Sequence, residues 1–101
     1  MESLSIVVPV YNTSCKYLEK CLDSLINVRN NKIEIILVDD CSTKKDTIRL
    51  CDEYSEKYSF INVLKLVKNQ GVSNARNIGV LKAKNKWIMF VDADDYISED
   101  C

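Results

Sequence analysis

The stretch FVDADDYI, residues 90–97, sets three carboxylates, Asp92, Asp94 and Asp95, within four positions, directly after the apolar run WIMFV. Like charges that close destabilise a compact state unless a cation, a proton or a hydrogen-bonded ligand offsets them, so the cluster points first to function. Asp92 and Asp94 are one residue apart. In extended backbone that spacing puts both side chains on one face, within reach of one divalent cation or one metal-bound diphosphate. Oxygen ligands suit Mg²⁺ or Mn²⁺, which keep waters and substrate phosphates in their remaining positions. The competing reading of an isolated D-x-D is a solvated acidic turn at a strand end.

Four further residues carry chemistry of their own. Asp39 and Asp40 close the apolar run IEIILV. A carboxylate there accepts a hydrogen bond from a base imide or a ribose hydroxyl, the reading preferred for Asp39, while turn formation or helix capping ahead of Cys41-Ser42-Thr43 is as good an account of Asp40. Arg76 falls one turn into a helical pattern that follows Asn69-Gln70-Gly71, where it can approach an anion near the positive end of the helix. A solvent-facing helix arginine is the alternative. Tyr11, after the run IVVPV, either lines the face of a nucleobase or packs at a strand end.

The elements that must position these residues follow from periodicity. Four apolar runs, 4–10, 33–39, 60–66 and 86–92, are continuous enough to be strands covered on both faces. Between them lie three helical patterns. The first carries Leu18, Cys21, Leu22, Leu25 and Ile26 at i, i+3, i+4, i+7 and i+8, after candidate caps Asn12, Thr13 and Ser14. The second spans about 44–58, with Ser42 or Thr43 as its cap and Ile48, Cys51, Tyr54 and Tyr58 on one side. The third spans about 72–84 and presents Val72, Ala75, Ile78 and Gly79, small enough to sit close to a sheet.

Strands alternating with helices of crossover length predict an α/β fold, a Rossmann-like parallel sheet with helices on both faces in the order β-α-β-α-β-α-β. Ligands of such sheets bind beyond the carboxyl ends of the strands, where strand order reverses. Tyr11-Asn12, Asp39-Asp40, Asn69-Gln70-Gly71 and Asp92 to Asp95 all follow strand ends, so all fall on that edge.

Composition narrows the classes. At 101 residues with 47% hydrophobic content the chain suits one domain with one modest core. Residues 1–50 hold seven charges of each sign, and residues 51–101 hold seven basic and eight acidic, for a net charge of -1. No overall field draws the chain to nucleic acid or anionic lipid. Five cysteines without a C-x-x-C pair, and no histidine, leave zinc without a ligand set. Cys21 and Cys51 read as small buried hydrophobes in a reducing compartment. No apolar run approaches the roughly 18 residues that span a bilayer, and the N-terminus has no basic flank or cleavage site. The expected location is the cytoplasm, with the inner face of the membrane open to a longer parent.

Other templates fail. No G-x-G-x-x-G follows the first strand, and no P-loop is present. DADDYI lacks the glycine of an EF-hand loop. Without histidine, Ser-His or Cys-His nucleophilic catalysis is excluded within this segment.

Four motifs then coincide in order: VPVYN (8–12), LVDDCS (37–42), NQGVSNARNIG (69–79) and FVDADD (90–95). Together they resemble the nucleotide-sugar-binding half of family-two glycosyltransferases of the GT-A fold, over almost the whole chain. The resemblance implies that residues 1–101 are the donor-binding part of an inverting glycosyltransferase. Pro9, Val10 and Tyr11 would form a uridine-binding edge, and Asp39 would accept from the base. Arg76 would contact the nucleotide or its diphosphate, Asp92 the ribose side of the donor, and Asp94 would coordinate Mn²⁺ or Mg²⁺. The implied partners are a nucleotide sugar, expected to be a UDP-sugar, and a saccharide or other hydroxyl acceptor. The acceptor half and the general base would come from downstream, so the segment alone is expected to be inactive and to self-associate through apolar surface beyond its fourth strand.

Two rivals are weaker. Haloacid-dehalogenase-like phosphatases carry their D-x-D on the first strand, whereas this one closes the chain. Receiver-like signalling modules share an acidic strand end like IILVDDCS but need an aspartate after the third strand, where this chain has Lys65, Leu66, Val67, Lys68 and Asn69.

Overall fold

The computed structural model describes residues 3–28 and 32–92. Over these, strand and helix alternate as expected: β1 (Leu4–Val10), α1 (Cys15–Val28), β2 (Ile33–Asp39), α2 (Lys45–Lys57), β3 (Ile61–Lys65), α3 (Val72–Lys82) and β4 (Trp87–Phe90). The strands form one sheet in the order β3-β2-β1-β4, every pair parallel. Strand order therefore reverses between β1 and β4, which sets the switch point there.

Side-chain alternation divides the core between the two faces. Ile6, Val8, Val10, Ile35 and Leu37 meet Leu18, Cys21, Leu22 and Leu25 of α1 and Leu50 and Cys51 of α2. Val7, Ile36 and Val38 face the other way and meet Ala75 of α3. Each fully buried leucine on the first face contributes about 1.5–3 kcal/mol relative to exposure. On the second face α3 approaches closely because Gly79 has no side chain: a Cβ built there would lie 3.1 Å from one Val7 methyl and 3.3 Å from a Val38 methyl.

The structure departs from the periodicity in four places. On α2 the buried residues are Thr47, Leu50 and Cys51, with Ile48 only half-buried. Thr47 is a polar residue at a core position because its hydroxyl donates to the Thr13 carbonyl at 2.8 Å. On α3 Ala75 and Gly79 pack, but Val72 is exposed. On β4, an edge of the described sheet, Trp87, Met89 and Phe90 are exposed rather than covered on both faces. β3 is shorter than its apolar run, ending at Lys65.

The amino edge of the sheet is locked by polar groups. The buried Ser5 hydroxyl donates to Glu34 at 2.7 Å, the same carboxylate oxygen accepts the Lys84 N–H at 2.8 Å, and the Asn85 side chain donates to the Leu4 carbonyl at 3.0 Å. These bonds end α3 at Lys82 and aim the chain into β4. Among the described residues Cys15, Cys41 and Cys51 are free thiols, and no helix is long and apolar enough to cross a membrane.

Candidate functional site

The carboxyl edge brings three loops together, and side-chain bonds add to the main-chain bonds of Asp40 N–H to Val10 and Leu66 N–H to Asp39 that join them. Beyond β1 the chain turns at Asn12, a non-glycine residue with φ of 49°. Its side-chain oxygen accepts the N–H groups of Thr43 and Lys44 at 2.8 and 2.9 Å, and its own N–H donates to Ser42 Oγ at 2.9 Å. Asn12 was a candidate cap for α1 on sequence. It caps α2 instead, whose N-cap residue Lys44 supplies no side-chain cap of its own. The Ser14 carbonyl accepts the Leu18 N–H at 2.9 Å and opens α1.

The two carboxylates at the end of β2 point to opposite faces. Asp39 continues the alternation of Ile35 and Leu37 toward α2, is buried, and accepts the Ser42 N–H at 2.9 Å. Asp40 turns the other way. Its oxygens accept the N–H groups of Gln70 and Gly71 at 2.7 and 2.9 Å. Gly71, with φ of 91°, is the N-cap of α3, a conformation in which a side chain would be strained. The chain turns directly after the two acids, at Cys41, with φ of 62°.

Pro9, Val10 and Tyr11 line a small cleft of about 90 Å³ together with Asp40, Val72 and Ala75. Its place beside the end of β1, under the start of α3, explains why Val72 is exposed: it forms a wall. Three of the sequence-derived residues thus line one cleft, with Asp40, Val72 and Ala75 beside them. Asp39 is absent from the lining.

At the switch point the register pairs Val7 with Phe90, and the Val91 N–H donates to the Val7 carbonyl at 3.1 Å, so Asp92 lies two residues further along, beside Pro9. Arg76 Nη2 donates to Asp92 Oδ1 at 2.8 Å, and its guanidinium stacks over the Phe90 ring at 5.7 Å. Arg76 Nε is buried with no partner among the described residues. The two residues assigned to the donor on sequence are therefore in contact with each other. Asp94, the proposed metal ligand, and Asp95 lie outside the described residues, among which no group of three acidic, thiol or imidazole side chains is gathered for a metal. The exposed Asp92 carboxylate is nonetheless the hard oxygen donor that Mg²⁺ or Mn²⁺ takes.

Among the thiols, burial pushes Cys51 up to about 12, with the nearby Asp39 charge adding to the effect. Cys15 is also raised, chiefly by desolvation. Both shifts disfavour the thiolate, the form in which a cysteine acts as a nucleophile.

Comparison with known proteins places this fold among the glycosyltransferases. The profile described as glycosyl transferase family 2 matches residues 5–101. Glycosyltransferase GlyG of Streptococcus pneumoniae is 38% identical over 99 residues, covering 98% of this chain and 32% of that protein. The chain spans about a third of such relatives' length. Among solved structures, S. aureus TarS 1–349 in complex with UDP-GlcNAc superposes with a TM-score of 0.84 at 35% identity, covering 97% of this chain and 28% of that one. GalNAc-T7 with UDP, GalNAc and Mn²⁺ gives 0.83 at 29%, covering 91% and 18%.

Proposed function

The chain belongs to glycosyl transferase family 2, and on that premise we propose that residues 1–101 are the donor-binding part of an enzyme that transfers a sugar from a UDP-sugar to an acceptor hydroxyl with inversion. One observation carries the reading: the cleft of Pro9, Val10, Tyr11 and Asp40 opens at the same β1/β4 switch point as the Arg76–Asp92 pair. TarS, bound to UDP-GlcNAc in its solved structure, shares this fold at 35% identity and supports the choice of UDP.

In this reading the cleft takes the base. Tyr11 and Val72 present apolar surface to a flat ring, and Asp40 supplies the acceptor for an imide N–H, since each of its oxygens has a second lone pair beyond the bond to Gln70 or Gly71. Asp39, preferred for that role on sequence, forms the turn. Asp92 faces the ribose side.

Arg76 is a five-donor cation with one N–H on Asp92, so it can hold that carboxylate and still donate to a diphosphate. Its charge then offsets the negative charge that develops on the leaving nucleoside diphosphate as the anomeric C–O bond breaks. Asp94, with the donor's own oxygens, would hold Mn²⁺ or Mg²⁺, as the Mn²⁺ in GalNAc-T7 suggests. Such a cation would add to the neutralisation of the leaving group. The carboxylate that deprotonates the acceptor belongs to a part of the enzyme beyond these residues.

Calorimetric titration of UDP into the protein, with and without Mn²⁺, tests the reading. Metal-dependent binding that disappears in Asp94→Ala supports it. A folded sample that binds neither UDP nor UDP-sugars, alone or as part of a longer chain, refutes it.

A further inference from the structure

We infer that Asn12 is the positioning residue that holds Tyr11 in the cleft, so that the nucleotide site is formed before any ligand arrives; the inference deepens the donor-binding reading and rests on it for the identity of the ligand. Tyr11 is half-exposed at the end of β1, and its backbone continues directly into the left-handed turn at Asn12. A left-handed non-glycine residue persists only where its surroundings over-determine it. Here they do so with one short side chain. Asn12 Oδ1 takes the Thr43 and Lys44 N–H groups, Nδ2 donates to Thr43 Oγ1 at 3.1 Å, and the Asn12 N–H donates to Ser42 Oγ. The loop after β1 is thereby fixed to the loop after β2.

That second loop also carries Asp40, whose carboxylate fixes the loop before α3. All three walls of the cleft are tied through residues 39–44. The Asp40 N–H on the Val10 carbonyl at 2.8 Å and the Thr47 hydroxyl on the Thr13 carbonyl at 2.8 Å hold the two flanks of the wall that bears the aromatic ring, and between them Asn12 is its tie to the loop after β2. When the tie is lost the ring is free to leave. The apparent affinity of the cleft then falls in proportion to the fraction of molecules in which the ring stays.

The test is made on this chain with two readouts. Asn12→Gly suits the left-handed backbone yet removes the side-chain bonds. Expected are loss of hydrogen-exchange protection at the Thr43 and Lys44 amides, movement of the Tyr11 ring resonances toward those of an unstructured tyrosine, and UDP affinity lower by about tenfold if the ring remains in place about a tenth of the time. Asn12→Asp keeps the accepting oxygen and should rescue both the amide protection and the ring resonances. Lys44→Pro deletes one of the two accepted N–H groups at a residue whose φ of −73° a proline tolerates, and should give a weaker form of the same shift, which decides the matter where Asn12→Gly does not fold. Tyr11 resonances that are unchanged in Asn12→Gly or in Lys44→Pro overturn the inference. If the wild-type chain binds no UDP, the donor-binding reading is what has failed, and the resonances alone still decide what Asn12 does.

Discussion

The guanidinium of Arg76 lies 2.8 Å from a carboxylate oxygen of Asp92, joining α3 to the end of β4 across the point where strand order reverses. The pair is partly exposed, with side-chain accessibilities of 36% and 49%, so its contribution to folding is small, below about 1 kcal/mol. On the proposed donor-binding reading its weight is in ligand binding. Arg76→Met is expected to leave the melting temperature nearly unchanged while weakening UDP about ten- to a hundred-fold, the cost of one charge-assisted bond. Calorimetry beside a thermal melt checks both halves. Equal UDP affinity in the variant would remove Arg76 from the site.

Asp40 is a different case, because its carboxylate is buried and holds two backbone N–H groups. Asp40→Asn leaves one oxygen to accept and turns an NH₂ group toward the other donor. A loss of about 1–3 kcal/mol follows from that unsatisfied N–H. Urea unfolding reads it directly, and an unchanged midpoint would mean the loop before α3 is held by something else.

At Gly79 the predicted failure is steric. Gly79→Ala drives a methyl group into Val7, which is fully buried and flanked by Val38. The expected cost is about 1–3 kcal/mol of overpacking, larger than the small gain in helix propensity. Pairing the change with Val7→Ala should restore much of the loss, and a pair that is merely additive would locate the strain elsewhere.

Cys51 gives the protein a dependence on alkaline pH. Burial raises its thiol from 9.0 to about 12, so between those values the unfolded chain releases a proton that the folded chain keeps. The stabilisation is complete below pH 9 and is lost as pH rises toward 12, at up to about 1.4 kcal/mol per pH unit from this group. Denaturant midpoints measured from pH 8 to 10.5 should fall, and less steeply in Cys51→Ala. Parallel slopes for the two proteins would show that the thiol ionises as freely in the fold as outside it.

By itself the sequence determined the order of elements, the parallel sheet and the edge that carries the candidate site. Those follow from short-range physics: apolar runs of strand length, the 3.6-residue spacing of Leu18, Cys21, Leu22 and Leu25, and polar residues placed after each run. It also marked Tyr11 and Asp92 at strand ends and Arg76 near the start of a helix, and the family resemblance added Pro9 and Val10. The tertiary structure decided what each polar group spends its bonds on. Asn12 looked like a cap for the helix next to it and caps one about thirty residues away, because a side-chain amide can satisfy N–H groups brought near only by the β1–β2 pairing. Asp39 and Asp40 are adjacent and chemically identical, and only the alternation of β2 and the turn at Cys41 send one to a local turn and the other to the cleft. Val72 and Ile48 were misplaced for the same reason: hydropathy reports what a residue is, while burial depends on which neighbours the sheet order delivers.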